Sequence, residues 1–550
     1  MEAQALIRLA DSVWSGREAV NATMEELARY IYPEARGFTA KPSESDEGRQ
    51  EIWDSTPEEA AGMLAAALGG LLTNPSSDWF SLDLVGEDEA DEGAGDWLTE
   101  IARTMLDAFA APESRFYQEV DAFYMELAAL AWAVLFIEYR DGKSLLYQAV
   151  PVSQCAIAEN AEGMVDTLVR RWTMTAAQIV EEFAGGESAA GALPDAVKEA
   201  AAKNPQQSFE LTHLVTPWVK LPADVAPHEG RNSAHLYASY VFMKDADKPL
   251  QVSGYREFPF AVARWAKRPG EVYGRGCGHK ALPDIRVLNR VSLSQLDAAE
   301  KSSNPPLLVP DDSVLAGQKI NTFAGGITYW RPSGGEIAPL PIATDLSAMQ
   351  AIREERQDAI RRAFLNDRLL LAEGPQMTAT EAMLRDRKQA LVLGPVNGRL
   401  QVEMLGPLIE RSFNLLLRAG RLPEPPDSLA GREFRVRYVS PISRGQSKGD
   451  AEGFNYALQY TAPLIEMRPE LMDNFDGDAI VRDTQDVFGY PAKYLVDEKK
   501  MQETRKARAE AAERAAQQQA ALQAAELAAK SGGGQGAGQA AGPELMQGAV

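Results

Sequence analysis

Between residues 301 and 341 the chain does something few folds permit: it leaves a helix, runs through a proline-punctuated apolar stretch, and returns to helix. The segment opens KSSNPPLLVPDDSV (301–314) and continues LAGQKINTFAGGITYWRPSGG (315–335). Pro305 and Pro306 stop any helix before them, because proline lacks an N–H and its ring crowds the preceding turn. Leu307, Leu308 and Val309 are too apolar for a linker, and Pro310, Asp311 and Asp312 break the run too soon for a helix. Helical pattern flanks it on both sides. Residues 277–303 read as helix, as does DLSAMQAIREERQDAIRRAFLND (345–367), with Leu346, Met349, Ile352, Ala359, Ile360 and Ala363 along one face. Arg356 falls inside that stripe, which fits an interface or partly buried ion pair as well as a surface arginine lying along apolar neighbours. The pattern is helix, short β-like excursion and helix again, and the backbone groups of such an excursion need partners.

What such a chain can bind is narrowed by its charge. With 79 acidic and 56 basic residues the net charge is −23. A protein that grips DNA through phosphates concentrates Lys and Arg; if this one meets DNA at all, it should let DNA slide past, and charge alone favours a plain acidic protein. A length of 550 residues allows about three or four compact domains. Two cysteines, Cys155 and Cys277, and four histidines leave no material for a disulfide framework and little for a zinc site. No basic N-terminal region precedes an apolar core, and the longest apolar run, AALAWAVLFI (128–137), falls short of the roughly 20 residues a membrane span needs. The expectation is a cytosolic protein, or one assembled in a cytosol, with no membrane contact.

Along the chain, the first 75 residues read as helices. Ser55-Thr56-Pro57-Glu58-Glu59 signals a helix start with a hydroxyl cap, early proline and acidic first turn. EDEADEGAGD (87–96) reads as a surface loop before an amphipathic helix. From 134 the period shifts: VLFIEYR and SLLYQAV around Asp141-Gly142 form a hairpin signal, and QCAIAEN with MVDTLVRRWTM a second. TAAQIVEEFAG reads as a short helix and ESAAGALPDAVKEAAAKNP as a polar helical insert. SFELTHLVTPW, HLYASYVFMK and FPFAVARW read as strands, so 134–266 is expected to be a mixed, mostly antiparallel α+β domain. Gly374-Pro375 breaks the chain, Thr378 to Glu381 is a capping box, and Pro407 is expected to kink the helix ending near Gly420. EFRVRYVSP (433–441) alternates as a strand. Residues 498–530 are strong helix formers with no Leu/Ile seam, suited to close packing among copies, followed by a flexible SGGGQGAGQAAG tail.

No stretch makes a convincing active site. Gly274-Arg-Gly276-Cys-Gly278-His-Lys280 lacks phosphate-loop spacing and reads as a flexible joint before a long helix. Cys277 and His279, as nucleophile and base, sit two apart with no third orienting group. Asp311-Asp312 lacks the further ligands a cation needs. No cofactor and no metal are expected.

The ordered motifs RWAKRPGEVYGRGCGHKALPDIRVLN (264–289), SNPPLLVPDD (303–312), GGITYWRPSGG (325–335), MTATEAMLRDR (377–387) and LGPVNGRLQVEMLGPLIERSFNLLLRAGRLPEPP (393–426) resemble the portal family of short-tailed bacteriophages, also called head-to-tail connecting proteins. EIWDSTPEEAAGMLAAALGGLLTNPSSDWFSLDL (51–84) resembles its N-terminal signature, so the resemblance spans roughly residues 5–495. It implies a predominantly helical α+β subunit of a ring, usually of twelve copies, at one capsid vertex, through which duplex DNA is packaged and ejected. It further implies a wing (51–276 with 377–441), a paired stem (277–303 and 345–367), a clip (304–341), a channel loop (368–377), a crown (442–497) and a barrel helix (498–530). Channel candidates by position are Arg356, Arg361, Arg362, Arg368, Glu373 and Gln376. Clip-docking candidates are Pro305, Pro306, Asp311, Asp312, Tyr329, Trp330 and Arg331. The partners implied are a terminase motor, a tail adaptor, scaffolding protein and the major capsid protein. Two alternatives stay open: an oligomeric enzyme with a site near Cys277 and His279, and a scaffold that passes no DNA.

Overall fold

The computed structural model describes residues 2–40, 51–84, 92–140, 144–183, 193–222, 225, 235–243, 248–305, 307–308, 338–339, 346–369, 394, 396–426 and 434–438 of a first compact unit, residues 1–449. In a second unit, residues 450–550, it describes 454, 457–463, 467–468, 477–478, 480–481, 496 and 498–531.

The first unit opens with α1 (Glu2–Ser15), α2 (Glu18–Ile31), α3 (Thr56–Leu72), β1 (Phe80–Leu84), α4 (Glu92–Ala110) and α5 (Phe116–Leu130). Two expectations need correcting here. The α3 start does not use the Ser55 hydroxyl as a cap; Ser55 has helical backbone angles, and Asp54 Oδ1 accepts the Thr56 N–H at 3.0 Å instead. The acidic stretch expected as loop through residue 96 is already helix from Glu92, where acidic side chains favour the positive end of the helix dipole.

The hairpin signalled by Asp141-Gly142 is present as β2 (Trp132–Tyr139) and β3 (Leu145–Ala149), antiparallel with Leu135 opposite Ala149. Next come β4 (Cys155–Glu159), β5 (Val165–Thr175), helices α6 (Ala176–Phe183) and α7 (Asp195–Lys203), and strands β6 (Ser208–Pro217), β7 (Tyr237–Met243), β8 (Gln251–Tyr255) and β9 (Phe260–Arg264). They form two antiparallel sheets, ordered β3-β2-β9 and β4-β5-β6-β7-β8. Strand β8 had no sequence signal of its own; Ser253 and Gly254 interrupt its apolar pattern, and pairing with β7 supplies what propensity lacks.

Between these sheets and the helices lies the main core. Helix α5 is buried along nearly its whole length. An aromatic group of Trp79, Phe80, Phe109, Phe116 and Tyr147 fills the centre, with ring centroids 4.7 Å apart for Phe109–Phe116 and 4.9 Å for Phe116–Tyr147. Such pairs contribute about 0.5–1.5 kcal/mol each beyond their burial.

The long helix α8 (Cys277–Ser303) leads to a two-residue bridge of β10 (Leu307–Leu308) with β11 (Ala338–Pro339). The chain returns as α9 (Leu346–Ala363) and a short α10 (Asn366–Leu369). The helix expected to run through residue 367 breaks at Leu365, whose φ is +63°. The break lets Phe364 and Asn366 both point inward, at 0% and 2% exposure.

After residue 396 the expected kink at Pro407 takes another form: a wide helical turn at Gln401–Leu405 precedes α11 (Gly406–Arg418). Proline cannot donate to the preceding turn, and the widened turn redirects the bonding, with the Gly406 N–H and the Tyr438 hydroxyl both reaching the Gln401 carbonyl. Strand β12 (Phe434–Tyr438) then pairs with β1, joining segments 350 residues apart. In the second unit, α12 (Glu498–Ser531) is a 34-residue helix whose side chains from Thr504 to Ala524 are all exposed.

Candidate assembly and channel surfaces of the paired helices

Helix α8 is set into the body by its glycines. A Cβ on Gly274 would lie 2.2 Å from the Ala131 carbonyl oxygen, one on Gly276 2.8 Å from the Ala131 Cβ, and one on Gly278 2.5 Å from the Ala129 carbonyl oxygen. These glycines are a closely packed strap across the end of α5, not the flexible joint their spacing suggested. His279 Nδ1 accepts the Gly276 N–H at 3.3 Å, closing the first turn. Burial, with Arg275 nearby, pushes His279 down to about 4, which keeps this nitrogen an acceptor. Burial pushes the Cys277 thiol up to about 12. A buried thiol held protonated, beside a histidine engaged in capping, is arranged as structure and not as a nucleophile–base pair.

Asp54, at 9% exposure, anchors the returning helix. Its Oδ2 accepts from Arg353 Nε at 3.0 Å and from Gln357 Nε2 at 2.9 Å, while Oδ1 holds the start of α3. Burial acts to raise its pKa, but the bonds from Thr56, Gln357 and Arg353 outweigh it and hold the carboxyl below its ordinary range. Asn289 on α8 ties down the same segment, its Oδ1 accepting the Trp53 N–H at 2.8 Å and its Nδ2 donating to the Glu51 carbonyl at 2.9 Å.

Of the two sequence readings of Arg356, the ion pair is the one present. Arg356 donates to Asp284 on α8 at 2.7 Å and also contacts Glu355. Its pKa is raised, chiefly by the bond to Asp284. Arg361 is exposed and reaches only Asp358, at 3.3 Å; Arg362 is exposed; Arg368 is exposed, 3.9 Å from Asp367. Arg361 and Arg362 in the last turn of α9 and Arg368 in α10 are thus exposed, and Arg356 holds the helix pair. Pro305 lies two residues beyond the end of α8, after its C-cap Asn304. Glu373, Gln376, Pro306, Asp311, Asp312, Tyr329, Trp330 and Arg331 lie outside the described residues, as does the helix read from Thr378.

The apolar stripe read along one face of α9 is buried only in part. Ile360 is buried, Met349, Ala359 and Ala363 are half-buried, and Leu346 and Ile352 remain 38% and 44% exposed. On α8, Val287 and Leu296 are exposed at 45% and 52%, and before and within α3, Trp53 and Met63 at 40% and 46%. Isolated apolar side chains on a surface are ordinary; here six lie on or beside one helix pair.

A charge network that sequence reading missed joins the sheets to the widened turn. Arg264, fully buried at the end of β9, donates from Nε to Glu403 Oε2 at 3.1 Å and from Nη2 to Glu403 Oε1 at 2.7 Å, and it also contacts Glu159. Lys267 reaches Glu159 at 2.7 Å and Arg399 reaches Glu403 at 3.0 Å. Glu403 Oε2 also accepts the Arg264 backbone N–H at 3.0 Å, satisfying a sheet-edge donor. Apart from the i,i+4 pair of Arg399 and Glu403, no local pattern identifies these partners, which are separated by more than a hundred residues.

A family model described as bacteriophage head to tail connecting protein matches residues 3–496. The probable portal protein of Bordetella phage BPP-1 is 31% identical over 503 residues, covering 90% of this chain and 89% of its own. The portal protein of Salmonella phage epsilon15 is 26% identical over 522 residues, 93% of this chain and 92% of its own. A chain from the virion of a native gene transfer agent particle covers 69% of this chain and 89% of its own at 9% identity, with a TM-score of 0.32, too shallow a likeness to bear on the fold.

Proposed function

The chain belongs to the family of bacteriophage head-to-tail connecting proteins, and from that premise we propose that its copies close into a ring forming the channel of a phage head–tail junction. It is a portal-type structural protein, and double-stranded DNA enters and leaves the capsid through the ring. The observation that carries this reading is the helix pair α8 and α9. It rises from an α+β body, ends in a two-strand bridge, and carries six exposed large apolar side chains on and beside it. Surfaces of this kind are what a heterologous contact between copies covers, and such contacts close into rings when the rotation per copy divides a full turn.

Within that frame the α+β body is the wing, the helix pair the stem, the excursion 304–341 the clip, 442–497 the crown and 498–530 a helix that packs among its copies. Arg361, Arg362 and Arg368, all exposed, are the channel-facing cations, and Arg356 is a stem clamp. The clip residues Pro305, Pro306, Asp311, Asp312, Tyr329, Trp330 and Arg331 form the docking tip for a packaging motor and a tail adaptor. Twelve copies is the expected ring size. Packaging force comes from the separate motor, because no phosphate loop with its Lys and Ser/Thr is present in the sequence. Negative-stain imaging of the purified protein tests the reading: rings with a central hole are expected, and large assemblies without a hole would instead support a scaffold.

A further inference from the structure

We propose that copies of this chain meet through two oppositely charged faces of the stem region, one on each side of the α8–α9 pair, so that each copy presents a basic face to one neighbour and an acidic face to the other. The inference rests on the ring reading and specifies its contact. Helical geometry separates the faces. Successive residues are 100° apart, so Val287 and Asn289 on α8 point about 200° apart. Asn289 holds Trp53 through its backbone, which puts Trp53 and Val287 on opposite sides of the helix. On α9, Ile352 and Glu354 are separated in the same way.

The first face comprises Val287 and Ile352, flanked by exposed Lys280 and Arg290, while Glu355 beside Ile352 is paired with Arg356. The Asp284–Arg356 pair fixes the register of the two helices. Counting one helix up and the other down from it sets Val287 level with residue 353, so Val287 and Ile352 form one apolar ridge on the outer seam. The second face comprises Trp53 and Met63, flanked by exposed Glu59 on α3 and Glu354 on α9, while Arg361, two turns below Glu354 on the same stripe, is paired with Asp358. The same register places Arg290 near the height of residue 350, close to Glu354. Met63 lies at the base of the pair beside Asn366, which brings Glu59, one turn before it, toward the height of Lys280. A neighbour related by rotation alone therefore meets cation with anion and ridge with Trp53. Charge placed this way selects partner and register more than it adds raw affinity.

The experiment uses the full-length chain with two double substitutions, Lys280→Glu with Arg290→Glu on the first face and Glu59→Lys with Glu354→Lys on the second, all at exposed positions. Mass photometry across a micromolar dilution series should show that each variant alone needs about tenfold or more higher concentration to form rings than the unmodified chain, since like charges then face each other. Mixing the two variants in equal amounts should restore rings in which they strictly alternate, giving even subunit numbers and a one-to-one ratio; that rescue also shows both variants to be folded. Combining all four substitutions in one chain should restore rings as well. Rings from each single-face variant indistinguishable from the unmodified chain would overturn the proposal and leave these faces to a partner other than a second copy. If the unmodified chain formed no rings, the ring reading itself would fall.

Discussion

Asp54 shows how much one buried carboxylate can organise. It starts α3 and holds α9 through Arg353 and Gln357, so Asp54→Ala should lower stability by about 2 kcal/mol or more, because it strands several donors at once. Urea unfolding measures this, and Ser55→Ala, which removes a hydroxyl bonded only to exposed Glu59, should cost far less. Glu126 gives a pH prediction. It is buried on α5, and burial raises its pKa to about 8 although the Val152 N–H donates to it. Its folded value lies above the ordinary 4.5, so the folded chain holds the proton more tightly. The stability this contributes is complete below about pH 4.5 and is lost as pH rises to about 8. Glu126→Gln keeps the acceptor for Val152 and removes the charge, so it should flatten the fall in melting temperature between pH 5 and 9. An unchanged pH profile would show that Glu126 titrates normally. Neither residue stood out in the sequence, because a lone Asp or Glu carries no mark of burial; that depends on contacts hundreds of residues away, such as Asp54 with Gln357.

Helices and strands with strong local signals were legible: the 277–303 helix, the Asp141-Gly142 hairpin and the 498–530 helix all follow from periodicity, turn chemistry and propensity. What sequence reading missed depended on tertiary approach. The glycines at 274, 276 and 278 signalled freedom but serve closeness, because a neighbouring carbonyl (at 274 and 278) or the Ala131 side chain (at 276) occupies the space a Cβ would need. Gly276→Ala should therefore destabilise the chain by about 1–3 kcal/mol, whereas alanine at Gly62, which has open space around it, should be neutral or stabilising; thermal melts of the two variants separate these cases. The apolar stripe on α9 was legible as a face, but not what covers it. Leu346 and Ile352 stay exposed in the single chain, and a periodicity does not say which partner covers them. At this scale the clip is also testable. Replacing 305–340 with a short Gly/Ser bridge should leave the wing folded, by circular dichroism, and abolish packaging in a complementation assay. Unaltered packaging would mean that the docking tip lies elsewhere.

Across the whole molecule, an acidic excess of 79 over 56 residues suits a conduit better than a clamp. Strong phosphate binding would stall DNA moving in either direction, and a few exposed arginines such as Arg361, Arg362 and Arg368 supply only weak, local attraction. Rings should bind duplex DNA feebly at about 0.15 M salt, where charges are screened beyond roughly 8 Å, without sequence preference and more weakly as salt rises. Anisotropy titration would reveal tight, selective binding if the protein instead recognised DNA. Such a conduit must first exist as a closed ring, and native mass spectrometry of the purified full-length chain measures that most directly. The account predicts one dominant closed assembly at micromolar concentration, its mass a fixed whole multiple of 59.9 kDa. A spectrum of monomers and dimers alone, or an open ladder of sizes with no preferred number, would contradict it.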